Sequence, residues 1–105
     1  MDQRTQEQIR TKKFLKAAEE GDAATISRLL TKGVDANARD IVGWTALINA
    51  AIKNHTEVVH RLIKAGADVD LADEEGWTAL LWATYHGQVG LGQGLLWATY
   101  QGQVG

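Results

Sequence analysis

Residues 40–73 read DIVGWTALINAAIKNHTEVVHRLIKAGADVDLAD, and a shift of 33 positions in either direction lays them over the rest of the chain. Moved forward, Gly43-Trp44-Thr45-Ala46-Leu47 falls on Gly76-Trp77-Thr78-Ala79-Leu80, five identities in a row. Moved backward, Arg61-Leu62 falls on Arg28-Leu29, Gly66 on Gly33, Asp68 on Asp35 and Asp73 on Asp40. A fixed period of this length marks stacked supersecondary units, each able to bury its apolar face only against its neighbours.

Each unit reads the same way. Phe14, Leu15, Ala17 and Ala18 form a helical apolar pattern that stops at Gly21, whose counterparts are Asn54 and Gly87. Glycine and asparagine tolerate the left-handed backbone that closes a helix in a tight turn. Ile26, Leu29 and Leu30 then follow i, i+3, i+4 spacing. This predicts a second helix packed back on the first and ending at Gly33, as its counterpart ends at Gly66. Residues 34–43 hold turn formers and too few apolar side chains for a third helix, so an extended excursion closing at Gly43 is expected, repeated over 67–76. Residues 1–11 are polar, with Ile9 the sole apolar residue after Met1; they extend the first helix or fray from it.

Helix, tight turn, helix and extended loop at this period, with TAL opening the first helix and GADVD after the second, resemble the ankyrin repeat. The family pattern is G-x-T-P-L-H-x-A-A-x-x-G-H-x-E-V-V-x-L-L-L-x-x-G-A-D-V-N. Gly43, Thr45, Leu47, Ala50, Ala51, His55, Glu57, Val58, Val59, Leu62, Ile63, Gly66, Ala67, Asp68 and Val69 match it. The resemblance spans about residues 12–89. It implies an all-α solenoid of stacked helix-turn-helix pairs joined by extended, β-hairpin-like loops. The corresponding division is a polar segment 1–11, a capping repeat 12–39 that lacks the preceding loop, a repeat 40–72, and an abnormal repeat 73–105. Ala46 and Ala79 replace the family's proline, and Ile48 and Leu81 replace its histidine. Thr45 and Thr78 are therefore expected to act mainly as helix N-caps.

The C-terminus departs further. Residues 80–90, LLWATYHGQVG, recur at 95–105 as LLWATYQGQVG, ten of eleven identical at an offset of 15. Leu91, Leu95 and Leu96 align with Val58, Leu62 and Ile63, so the copied segment can supply the missing second helix. Gly90, Gly92 and Gly94 each oppose that helix by about 1 kcal/mol relative to alanine, and disorder is the alternative. Exposed Leu, Trp and Tyr there imply self-association through the C-terminal end.

Eleven basic and thirteen acidic side chains give a net charge of −2, which argues against nucleic acid. The chain has no cysteine, hence no disulfide framework, and no apolar run long enough for a membrane span. A cytoplasmic location is expected, with the nucleus as alternative. Gly90-Leu-Gly-Gln-Gly-Leu misses the dinucleotide fingerprint at Leu95 and lacks a strand before it. Asp68, Asp70, Asp73, Glu74 and Glu75 miss the calcium-loop spacing and read as a solvated loop. His55, His60 and His86 assemble no catalytic set. His55 takes the family's turn position, a structural role, and His60 falls on an exposed face. No enzyme activity, cofactor or metal is expected.

The resemblance implies a protein-binding module whose loop tips and first helices form a concave surface. The family's contact positions fall on Ile41, Val42 and Trp44 at one tip, with Ile52 and Lys53 on the adjoining helix. The next repeat supplies Glu74, Glu75, Trp77, Tyr85 and His86, and the first supplies Glu19 and Glu20. Trp44 and Trp77 either pack on a neighbouring repeat or meet the partner, or both. A partner with an apolar centre and basic groups suits this surface. The alternative is an engineered or duplicated chain, or a piece of a larger scaffold, with no binding function of its own.

Overall fold

A computed structural model describes residues 3–87. They form five helices, α1 (Gln3–Glu20), α2 (Ala23–Thr31), α3 (Ala46–Ile52), α4 (Thr56–Lys64) and α5 (Ala79–Tyr85). Outside the helices, the described residues contain one isolated antiparallel bridge, Arg39 with Thr45. α3 lies between α1 and α5, forming one layer; α2 packs on α1, and α4 packs on both α3 and α2, forming the second. This is the expected all-α solenoid of stacked helix pairs.

The 33-residue register explains the stacking. Ala17, Ala50 and Ala83 occupy equivalent positions and are all buried. Small side chains there let α3 lie close to both flanking helices, since interaxial distance follows side-chain size at the contact. α3 has only seven residues, of which Ala46 to Ala51 are all buried. A helix this short does not hold in water alone. It is held by packing, with fully buried Leu47 and Ile48 contributing roughly 1.5–3 kcal/mol each. α4 is one-sided instead, burying Val58, Val59 and Leu62 while Glu57, His60 and Lys64 face solvent.

Helix ends follow local chemistry. Thr45 Oγ1 accepts from the Ile48 N–H at 3.1 Å and Thr78 Oγ1 from the Leu81 N–H at 3.3 Å, so both threonines cap as expected. Asp22 caps α2 by accepting from the Thr25 hydroxyl at 2.6 Å and the Thr25 N–H at 3.1 Å. Those two bonds, hydroxyl first, hold its carboxyl below the ordinary carboxylate value against a desolvation penalty, with Arg28 adding attraction. The three tight-turn residues share positive φ: 80° at Gly21, 61° at Asn54 and 69° at Gly87. Gly21 has a second constraint, because a Cβ there would lie 2.6 Å from the His55 ring. That ring reaches across from the next repeat, and its Nε2 donates to the Glu19 carbonyl oxygen at 2.9 Å. His55 thus ties two repeats together.

The polar N-terminal residues continue α1 from Gln3. Gln8 and Ile9 precede Ile41 and Val42 by 33 positions, so this extra helix occupies the chain positions that a loop tip takes later. The duplicated C-terminal segment, with the second helix expected after Leu91, lies outside the described residues. No helix among the described residues is long and apolar enough to cross a membrane.

Candidate protein-binding face

The loops entering α3 and α5 are each built on one aspartate. Asp40 Oδ1 accepts from the Val42 and Trp44 N–H groups at 3.0 and 2.9 Å, and Oδ2 accepts from the Asn49 amide at 3.3 Å. The backbone closes the turn, with Asp40 N–H donating to the Trp44 carbonyl and Gly43 N–H to the Asp40 carbonyl. This frame pushes the tip outward, leaving Ile41 101% and Val42 51% exposed.

Asp73 repeats the frame with one change. Its Oδ1 accepts from the Glu75 and Trp77 N–H groups, both at 2.9 Å, while Oδ2 accepts from the Trp82 indole at 2.9 Å. An indole therefore replaces the amide of Asn49 at the equivalent position. Burial pushes the Asp73 carboxyl up, but the bonds from Trp77, Trp82 and Glu75, with the Trp44 side chain adding, outweigh it and hold the group below its usual range. The expected solvated acidic cluster needs correction here. Asp68, Asp70, Glu74 and Glu75 are exposed, whereas Asp73 is buried because its carboxylate organises the loop.

Trp82 also centres an aromatic cluster. Trp77 lies 4.8 Å from it between ring centroids, Trp44 5.8 Å at 67°, Tyr85 6.3 Å at 84°, and His86 stacks at 6.0 Å and 19°. Edge-to-face packing of this kind contributes roughly 0.5–1.5 kcal/mol per pair beyond area burial. Trp44 thus packs on the following repeat, while Trp77 packs within its own repeat against Trp82 and Tyr85. Both tryptophans are half-buried, and Tyr85 remains 69% exposed.

The sequence-derived contact residues fall into two rows. Ile41, Val42 and Trp44 lie on one loop and Glu74, Glu75 and Trp77 on the next; a Cβ at Gly43 would meet the Glu74 side chain at 2.8 Å, so the loops touch. Glu19 and Glu20, Ile52 and Lys53, and Tyr85 and His86 sit at the C-terminal ends of α1, α3 and α5. The Trp77–Tyr85 contact, 5.6 Å between centroids, joins the rows at the third repeat. Ile52 is half-buried; Glu19, Glu20, Lys53, Glu74, Glu75 and His86 are exposed.

Sequence reasoning missed a cleft of about 740 Å3 between the early turns of α1 and the Asp40 loop, where Ile9, Lys12 and Leu15 face Arg39 and Ile41. The register of Ile9 with exposed Val42 was the available signal. It also missed three ties between repeats. One Arg39 guanidinium nitrogen donates to the carbonyls of Gly43 and Ala72, both at 2.7 Å. Arg61 donates to the Ala23 carbonyl at 3.1 Å, the Ser27 hydroxyl at 2.9 Å and Glu57 at 3.0 Å. The Asp68 N–H donates to Asn37 Oδ1 at 2.8 Å.

No group of three His, Asp or Glu among the described residues is placed to hold a metal ion. The surface on offer is apolar tips, aromatic rings and separate charges, which suits contact with another macromolecule more than chemistry at one atom.

Residues 14–103 match the family described as ankyrin repeats, in three copies. A shorter stretch of 42 residues is 47% identical to a mitochondrial disaggregase of Bos taurus, covering 40% of this chain and 6% of that protein. Ankyrin repeats are generally protein–protein interaction modules and generally non-enzymatic. With the matched region covering most of its length and the helix pairs stacked in register, the chain belongs to the ankyrin-repeat family.

Proposed function

We propose that this protein binds a partner protein on the face made by its two loop tips and the C-terminal ends of α1, α3 and α5. The observation that carries this is the Asp40 loop. Its hydrogen bonds hold Ile41 and Val42 out in water, where two β-branched side chains contribute nothing to the core. Tyr85, exposed above packed Trp77 and Trp82, supplies an aromatic anchor, and anchors of this type dominate interface energetics. Glu19, Glu20, Glu74 and Glu75 are exposed alongside the apolar positions, as are Lys53 and His86. A partner segment with an apolar centre and basic groups fits that surface. In this reading 12–39 caps the stack, 40–72 and 73–105 supply the tips, and the protein acts in the cytoplasm or nucleus without nucleic acid or membrane.

The test is affinity capture with the intact chain and with the variant Ile41→Ser/Val42→Ser, which leaves the aspartate frames and the aromatic cluster around Trp82 untouched. Both must first show the same unfolding midpoint. A partner retained by the intact chain and lost by the variant supports the proposal. Equal retention by both refutes the face. Retention of nothing by either favours the alternative of a duplicated or partial chain without its own binding function, a reading to which the ten-of-eleven copy at 95–105 gives independent weight.

A further inference from the structure

On the first repeat, α1 and α2 line a second cleft of about 390 Å3, which shares Ile9 with the first. Ile9 and Leu29 contribute its apolar part, and Arg10, Lys13, Arg28 and Lys32 surround it; no carboxylate lines it. Glu7 and Asp35 line an adjoining depression that Arg10 and Lys32 share. Neither is ion-paired to those cations, since the one ion pair among the described residues joins Glu57 and Arg61. The distribution along the chain agrees: residues 1–33 hold seven of the eleven basic side chains and five of the thirteen acidic ones. A negatively charged protein has therefore gathered positive charge around one cleft.

Arg28 gives the cleft its direction. It precedes Arg61 by 33 positions, and Arg61 points back onto the preceding repeat, donating to the Ala23 carbonyl and Ser27 hydroxyl. Arg28 has Ala24 where Arg61 has Glu57, so it lacks the carboxylate four residues earlier that holds Arg61. It is exposed and lines the cleft. Asp22 attracts Arg28 through space but does not line the cleft.

We propose that this cleft binds a multiply charged phosphate group. Two guanidinium forks match pairs of phosphate oxygens, and two ammonium groups add compact positive charge. The site is independent of the loop-tip face.

The test titrates the full chain with sodium pyrophosphate at constant ionic strength, following backbone amide shifts. Arg28→Gln and Lys64→Gln are compared because both remove one charge, and Lys64 is not among the residues that line the cleft. Saturable shifts at Arg10, Lys13, Arg28 and Lys32, weakened roughly tenfold by Arg28→Gln and not by Lys64→Gln, are expected. Shifts that never saturate, that lie elsewhere, or that respond equally to both variants overturn the proposal. A second arm separates the sources of the phosphate by sedimenting the chain with phosphatidylcholine vesicles carrying phosphatidylinositol bisphosphate or phosphatidylserine. Binding to the bisphosphate vesicles alone, displaced by pyrophosphate, assigns a lipid headgroup; saturable pyrophosphate binding with no vesicle binding assigns a free phosphate compound. Equal binding to both vesicle types that pyrophosphate does not displace overturns the site in favour of nonspecific charge attraction.

Discussion

Asp73→Asn removes one oxygen and puts an N–H pair in its place, a change whose consequence follows from the donors around that carboxylate. The new Oδ1 keeps the bonds from the Glu75 and Trp77 N–H groups, but the new Nδ2 faces the Trp82 indole, a donor that cannot accept. The protein loses one charge-assisted bond, worth about 1.5–3 kcal/mol, and leaves a half-buried donor facing another donor. We expect destabilisation of about 2–3 kcal/mol, or a fall in Tm of roughly 10–20 °C for a domain of this size. Urea unfolding followed by tryptophan fluorescence measures it, with far-UV circular dichroism as a second probe. The decisive comparison is the cycle with Trp82→Phe, which keeps an aromatic ring and deletes the N–H. In that background Asp73→Asn should cost about 1 kcal/mol less or better. A neutral Asp73→Asn, or one equally costly with and without the indole, refutes the claim that this bond anchors the loop.

Two further outcomes follow. The folded Asp73 carboxyl lies below its ordinary value of 3.8, so the unfolded chain takes up the proton first; its contribution is fully present above the unfolded value and lost as pH falls through the lower folded one. Unfolding free energies of the wild type and Asp73→Asn should therefore converge below pH 3.8 and stay parallel above about pH 5; a constant gap throughout contradicts this. Gly33→Ala, at φ 92° with open space around it, should cost about 1 kcal/mol, whereas Gly21→Ala adds the His55 clash and should cost at least about 2. Thermal unfolding of both, with Gly21→Ala repeated on His55→Ala, should show the excess of Gly21→Ala shrinking once the ring is gone.

The helix pairs were legible because the period repeats what they need locally: a threonine to cap, alanines where helices approach, and glycine or asparagine where the chain turns. The ties between repeats were not. Arg39 reaches a carbonyl 33 residues away, and nothing about an arginine before an aspartate announces that partner. The clefts on α1 depended on whether the polar N-terminus extends the helix, which composition left open. Asp73 was misjudged for a related reason. It shares its surroundings in sequence with four exposed acids, and only its register with Asp40 separates it from them.

The same register shows which contact residues belong to binding alone. At the second repeat the loop is held by Asn49, and the exposed tip stands apart from that support. At the third, Trp82 holds Asp73 and also packs against Trp44, Trp77, Tyr85 and His86. Removing Trp44 or Trp77 therefore disturbs the cluster around the Asp73 anchor as well as any surface a partner touches. Loss of binding in such a variant does not separate recognition from folding. Ile41 and Val42 do separate them, because neither side chain supports the core and only their backbone takes part in the turn. If a partner binds this face, substitutions at Ile41 and Val42 change affinity at constant stability, whereas tryptophan substitutions change both.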